Sequence, residues 1–352
     1  MSQDVCSLLP FQALANPDAE RARERHLEWV VGHGLARGAA ALRRYRALRL
    51  ADLASSAHPE AAGDDLDLVT DAVCVAFTLG DQYGDPRVTQ PERITRITTE
   101  LAAIAYRLPG APPELDLPLT RAHADVWRRC AAGMSPAWRA RAAGSLTRFL
   151  RARLQEAHNR ALGVRPREDA YLGLRGHAVG AAPCFDLIER AGRFEVPPAA
   201  YWSRELRALT RHAGDVVLLC DDVHAAERAE AAGDPHNLVL IRQRERGCTR
   251  AEATGQVVDL ARERVEAFRT VAAAVPGLLG AWRLDARGVA AVERYLAGLR
   301  AWMVANQLWG AARHAAGPPP AAPVAGLLSG RAAARTPHVP RARPADGAPV
   351  VA

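Results

Sequence analysis

The chain is poor in aromatic residues, with Phe, Trp and Tyr making up 5% of it, and those few are not interleaved with its arginines as base stacking would require. Its six cysteines, Cys6, Cys74, Cys130, Cys184, Cys220 and Cys248, are scattered without a CxxC or comparable metal spacing. That scatter offers neither a disulfide framework nor a zinc site, and the cysteines read as small buried apolar residues. No apolar run approaches the roughly eighteen residues of a spanning helix, and no signal peptide opens the chain. A cytoplasmic protein without stable membrane insertion is expected. Alternation of apolar and polar residues at period two is also rare, whereas the helix formers Ala, Arg, Leu and Glu fill long stretches. The predicted fold class is all-α.

Charge of one sign is in modest excess. The net charge is +7, of which Arg331, Arg335, Arg341 and Arg343 against Asp346 contribute a local +3 from Gly317 onward, leaving +4 for the preceding 316 residues. Elsewhere acids interleave with the arginines, as in Arg21-Ala22-Arg23-Glu24-Arg25. This describes a solvated basic surface rather than a phosphate-backbone footprint, and no nucleic-acid partner is expected. The Pro-, Ala- and Arg-rich segment 317–352 cannot bury enough apolar surface to fold and is read as disordered. Residues 1–316 are read as one domain.

What is present is a series of helix signals with charged residues at their ends. Asn16 before Pro17, followed by Asp18 and Glu20, predicts a helix start with Asn16 as its N-cap. A helix from about Leu66 carries Leu66, Val69, Val73, Ala76 and Phe77 on one face and runs into Gly80-Asp81-Gln82-Tyr83-Gly84-Asp85-Pro86. Asp81 and Asp85 are one helical turn apart, so their carboxylates can face each other. The same residues also suit a helix end in a turn before proline.

Further along, Asp221-Asp222-Val223-His224-Ala225-Ala226-Glu227-Arg228 leads to Gly233-Asp234-Pro235-His236-Asn237-Leu238-Val239. Positions 221, 225 and 229 share one helix face, but Ala225 and Ala229 carry no oxygen. Asp221 is therefore the carboxylate on that stripe, with Glu227 and Glu230 off it. Magnesium usually takes one or two carboxylates and completes its octahedron with phosphate oxygens and water. A solvated charged face is the alternative reading of Asp221, Asp222, Glu227, Arg228 and Glu230.

In order and spacing these segments resemble the bacterial class I terpene synthases. The stretch from Asp221 is similar to the family's (N/D)DxxSxxxE motif and its GDxHNLV turn, with two of the three ligand positions replaced. The stretch from Gly80 resembles DDxx(D/E) with glycine at its first and last acidic positions. Arg175 precedes Asp221 by 46 residues, the place of the family's diphosphate-sensing arginine, and a helix break is expected at Ala178, Val179 and Gly180. The segment Trp302 to Trp309 is similar to W-x-x-G-N-L-x-W. The family's following Arg-Tyr pair is replaced by Ala315 and Ala316, with Arg313-His314 two residues earlier. Leu9-Pro10-Phe11, Asn16-Pro17 and Trp29 resemble the amino-terminal segment, so the likeness spans about residues 9 to 314.

The resemblance implies a single-domain helical bundle around a central cavity, and a lyase that ionises and cyclises a prenyl diphosphate, farnesyl diphosphate above others, with Mg2+. It gives Asp81 and Arg175 catalytic roles. Arg175, Arg228, Arg313, Phe77 and Trp302 would bind substrate, and Asp81, Asp85 and Asp221 would hold metal. Phe77, Tyr83, Phe185, Trp302 and Trp309 are candidate cavity walls. The alternative is an impaired or inactive homologue that binds a prenyl diphosphate, a terpenoid or a protein partner. A prenyl transferase is disfavoured because paired DDxxD motifs are absent. A homodimer is compatible with this reading.

Overall fold

A computed structural model describes residues 9–84 and 91–315 of the chain. Among the described residues there are fourteen α-helices and no strand. The first three are short: α1 (Ala19–Gly32), α2 (Gly38–Ala47) and α3 (Leu50–Ala57). They are followed by α4 (Gly63–Gly84), α5 (Pro91–Ile104), α6 (Pro118–Ala131) and α7 (Pro136–Ala161). Next come α8 (Glu168–Ala178), α9 (Ala181–Gly192), the single turn α10 (Pro198–Tyr201) and α11 (Arg204–Ala232). The chain closes with α12 (Leu238–Arg246), α13 (Arg250–Leu278) and α14 (Ala286–Ala315). Asp85 and the segment from Ala316 onward lie outside the described residues.

Local chemistry sets the ends of these helices. Ser135, Ser203, Asn237 and Thr249 each accept a backbone N–H from the first turn of the helix they precede, satisfying donors that a helix start leaves unpaired. Gly233 ends α11 at φ 66°, and Asp234 N–H bonds back to the Ala229 carbonyl at 2.8 Å, an arrangement that glycine adopts without strain. Asn16 corrects one expectation. The N-cap position of α1 falls on Asp18, which makes no side-chain cap bond; the Asn16 Oδ1 still accepts the Asp18 N–H at 2.9 Å, while its amide NH2 is used across the fold. It donates to the carbonyls of His58 at 2.8 Å and Ala61 at 2.7 Å, fixing α1 to the turn before α4.

The long helices pack as a bundle because each presents an apolar stripe. In α11 the residues Leu206, Leu209, Ala213, Val216 and Cys220 recur every three or four positions and are all buried; the helix packs chiefly on α13 and α14. Burying each Leu or Val contributes roughly 1.5–3 kcal/mol. In α4 the predicted face divides along its length. Leu66 and Val69 enter the core, while Val73, Ala76 and Phe77 border a cavity between α2, α4, α7, α8, α9, α11 and α14.

Candidate active site

The cavity has a volume of about 550 Å3, within the usual range for small-molecule sites. Its apolar wall includes Leu48, Leu53, Val73, Phe77, Val217, Trp302 and Trp309. The Trp309 ring is fixed by its indole N–H, which donates to the Leu48 carbonyl at 2.8 Å, and by edge packing against Phe77 at 5.5 Å. Two expected wall residues stand elsewhere. Tyr83 lies about 120° around α4 from Phe77, judged from 3.6 residues per turn, and it is buried with its hydroxyl 2.7 Å from that of Thr98 on α5. Phe185 packs behind Trp302, with its ring centroid 6.4 Å away. Cys184, expected to be a core filler, lines the cavity instead.

The break expected near Gly180 is present. α8 stops at Ala178, and α9 begins after Gly180, whose φ is +79°. A Cβ there would approach the Phe149 ring to 3.1 Å, so both the backbone conformation and the close packing call for glycine. Ala178, Val179, Gly180 and Ala181 all face the cavity.

At the polar end, Arg175 gathers the acids. Its Nη2 donates to Asp221 Oδ2 at 2.6 Å and its Nη1 to Glu156 Oε1 at 3.4 Å, and Nε lies 3.5 Å from Asp222 Oδ1. Burial alone would weaken the basicity of Arg175, but Tyr171, Glu156, Asp222 and Asp221 raise it well above the ordinary value. The guanidinium stays charged. Glu156 is fully buried. Burial would raise its carboxyl, but Arg153, Arg175 and Arg160 hold it below the usual carboxylate range.

Asp222 differs from its neighbour. It is buried and accepts hydrogen bonds from the Tyr171 hydroxyl at 2.6 Å and from Leu238 N–H at 2.8 Å. Burial pushes it up to about 7 against the pull of Arg175. The solvated-face reading therefore holds for Glu227 and Glu230, which are exposed, fails for Asp222, which is buried, and is incomplete for Arg228, which is exposed yet borders the cavity. The turn after α11 completes this scaffold. Asn237 donates to the Asp222 carbonyl at 2.7 Å while capping α12. His236 is held by Asp234, 2.9 Å away, and by Asn159, 3.2 Å away. Asp234 also pairs with Arg160 at 3.0 Å. The turn thus locks α12 and α7 to the end of α11.

Of the residues expected from the sequence, Arg175, Asp221, Arg228, Arg313, Phe77 and Trp302 all border the one cavity. Arg313 lies over the rings of Trp309 at 4.6 Å and Phe77 at 4.9 Å, a geometry in which ring faces attract a cation. Asp81 sits on the last turn of α4 next to Gly80, and its side chain lies outside the described residues. Sequence reasoning missed Arg44, Arg153, Arg160 and the buried Glu156, and took Asp234 only as part of a motif turn. Their one signal was the Arg153, Glu156, Arg160 spacing on α7, a face shared at i, i+3 and i+7.

Comparison with known proteins decides the family. Residues 71–267 match the family model described as terpene synthase family 2, C-terminal metal binding. Pristinol synthase of Streptomyces pristinaespiralis is 35% identical over 86% of this chain and 82% of its own. The chain belongs to the bacterial terpene synthases. Another member, the 7-epi-α-eudesmol synthase of Streptomyces viridochromogenes, described as (2E,6E)-farnesyl diphosphate cyclizing, is 31% identical over 90% of this chain and 95% of its own. The crystal structure of α-eudesmol synthase superposes with a TM-score of 0.81 at 30% identity, covering 86% of this chain and 97% of that one.

Within this metal-binding family the donor set of the chain is reduced. Ala225 and Ala229 border the cavity at two of the ligand positions. Among the described residues no group of three His, Cys, Asp or Glu side chains could hold a metal ion. Asp221, part-exposed at the cavity wall, can offer one carboxylate arm to a metal completed by phosphate oxygens. A cage made by the protein alone does not fit these residues.

Proposed function

We propose that the cavity ionises farnesyl diphosphate and cyclises the resulting cation to a terpene, releasing diphosphate. The observation that carries this is the meeting of Arg175 and Asp221, at 2.6 Å, on the wall of a cavity otherwise bordered by Phe77, Trp302 and Trp309. It puts anion-binding groups and aromatic rings on the wall of one cavity, with Arg313 lying over the Phe77 and Trp309 rings. The relatives support the enzymatic reading, since they carry synthase names and one is described as cyclising farnesyl diphosphate.

In this reading the diphosphate lies against Arg175, Arg228 and Arg313. The planar guanidinium of Arg175 offers paired donors to phosphate oxygens. As the allylic C–O bond breaks, the electron pair leaves with the diphosphate, and these cations stabilise the charge that develops there. Mg2+, held through Asp221 with Asp81 and Asp85 as further carboxylates, would add positive charge against the same oxygens. The organic cation remains among Phe77, Trp302 and Trp309, whose ring faces stabilise it and whose packing keeps water out. Ring closure follows attack by a distal double bond, and the sequence ends with loss of a proton or capture of water.

The test is incubation of purified protein with Mg2+ and geranyl, farnesyl or geranylgeranyl diphosphate, followed by analysis of hydrocarbons and alcohols and of released diphosphate. Farnesyl diphosphate is expected to give a fifteen-carbon cyclic product with one diphosphate per turnover. Silence with all three substrates would refute the proposal and favour a binding role. A cytoplasmic location and a homodimer stay attached to the family resemblance, and cell fractionation and light scattering test them.

A further inference from the structure

We propose that this enzyme holds the diphosphate of its substrate largely by arginine rather than by a full set of metal ions, with Arg153 taking the place of a lost acidic side chain. The inference rests on the functional reading above and adds a residue and a mode of binding to it.

Read without gaps, the sequence puts Gly80 where the family's first motif begins with an acid. The space a side chain would need there is filled. A Cβ built on Gly80 would lie 2.7 Å from Arg153 Nη2 and 3.3 Å from its Cζ, so the tip of this flexible side chain would have to shift. Arg153 Nη2 donates to the Gly80 carbonyl at 2.6 Å and Nη1 to Glu156 Oε2 at 2.7 Å, which fixes the guanidinium at the cavity wall. Its Nε is buried without a hydrogen-bond partner. A carboxylate position has become a cation position, which reverses the charge presented to a ligand.

The cations around the cavity are grouped closely. Arg44, Arg153, Arg160, Arg175, Arg228 and Arg313 line it. Against these six guanidiniums stand Asp221, Asp222 and Asp234 in the wall and Glu156 behind it; Asp81 and Asp85, the further carboxylates of the functional reading, bring the formal count to six against six, so the inference rests on where the guanidiniums sit and not on a surplus of charge. Arg153, Arg160 and Arg175 crowd around the single carboxylate of Glu156. Burial lowers the basicity of Arg153, Glu156 opposes it, and Arg175 and Arg160 add smaller repulsions. Unit charges about 4 Å apart interact by about 4 kcal/mol at an effective dielectric of 20, the scale of the attraction a guanidinium at this wall offers a polyanion. The chain contains no lysine, so these cations keep their charge and their paired-donor geometry at any working pH.

Calorimetry with inorganic diphosphate tests the inference, first with EDTA and then with Mg2+. The wild type is expected to bind in EDTA with an affinity within about tenfold of that in Mg2+. Arg153→Met, which keeps length but removes charge, should weaken binding in EDTA by about tenfold or more, the scale of a lost charge-assisted hydrogen bond, whereas Arg153→Lys should retain much of it. Gly80→Ala, whose methyl displaces the guanidinium, should weaken it as well, and thermal melts of every variant report folding. The paired change Gly80→Asp with Arg153→Met should shift binding toward Mg2+ dependence. Absence of wild-type binding in EDTA would overturn the inference, and so would equal binding by Arg153→Met. Neither result touches farnesyl diphosphate turnover, which separately tests the functional reading.

Discussion

Two helices border the cavity with segments that resemble the family's metal motifs, and they depart from those motifs in different ways. On α11 the positions at 225 and 229 are alanines that border the cavity, so the ligands were removed and the space was left. On α4 the position at 80 is glycine, and the Arg153 guanidinium occupies its volume. The first change is a deletion, which a side chain of the original type can reverse. The second is an exchange of charge, which no single substitution can reverse. Loss of a motif residue therefore says little about a site until its vacated space has been examined.

The two helices also differ in what anchors them. Behind α11, Asp222 joins Tyr171, the start of α12 and Arg175. Behind α4, Asp71 is held by His26 Nδ1 at 2.6 Å and Arg129 at 2.7 Å, and His26 Nε2 in turn lies 2.6 Å from the hydroxyl of the cavity residue Tyr45.

The largest effect is expected at the α11 anchor. Asp222→Ala strands the Leu238 N–H and deprives the Tyr171 hydroxyl of its 2.6 Å acceptor in a buried setting, and each buried polar group left unsatisfied costs about 1–3 kcal/mol. Urea denaturation measures it, and a loss below 1 kcal/mol would show that the anchor is not structural. The α4 anchor is expected to be pH-sensitive. Burial lowers the pKa of His26, but the Asp71 carboxylate and Cys74 more than reverse this, lifting it from 6.5 to about 9. A raised folded value means that the stabilisation is complete below pH 6.5 and is lost as the pH climbs through about 9. Its size is roughly 3 kcal/mol at about 1.4 kcal/mol per unit. Melting temperatures across that window should fall for the wild type and change less for His26→Gln; parallel profiles would remove His26 from the explanation.

Smaller effects address the ligand positions themselves. Gly80→Asp alone should destabilise by about 1–3 kcal/mol through overpacking against Arg153, with no gain in metal binding. Ala225→Ser with Ala229→Glu should fold as the wild type does and tighten Mg2+ binding by about tenfold, the scale of a single added interaction. If Gly80→Asp were tolerated and the double change were not, the contrast between the two helices would be reversed.

Much of this site could be read along single helices. The α4 face, the break before Pro183, the interval from Arg175 to Asp221 and the tryptophans of α14 are all local patterns, and local patterns survive in a linear chain. Arg153 and Glu156 could not be read in the same way. Their spacing on α7 is that of any helical ion pair, and only packing against α4 and α8 buries Glu156 and sets Arg153 against Gly80. Asp222 was concealed by its exposed neighbours Glu227, Arg228 and Glu230. Its burial comes from the turn through His236 and Asn237, where a family signature proves to be a structural clamp. Tyr83 and Phe185 were misplaced because helical spacing gives a face but not which neighbour that face meets.

The most direct measurement is diphosphate release from farnesyl diphosphate in saturating Mg2+, comparing wild type with Arg175→Met. The account predicts steady release by the wild type and a loss of about 100- to 1,000-fold in the variant, as when a donor to developing negative charge is removed. Equal release by the two proteins, with both correctly folded, would contradict it.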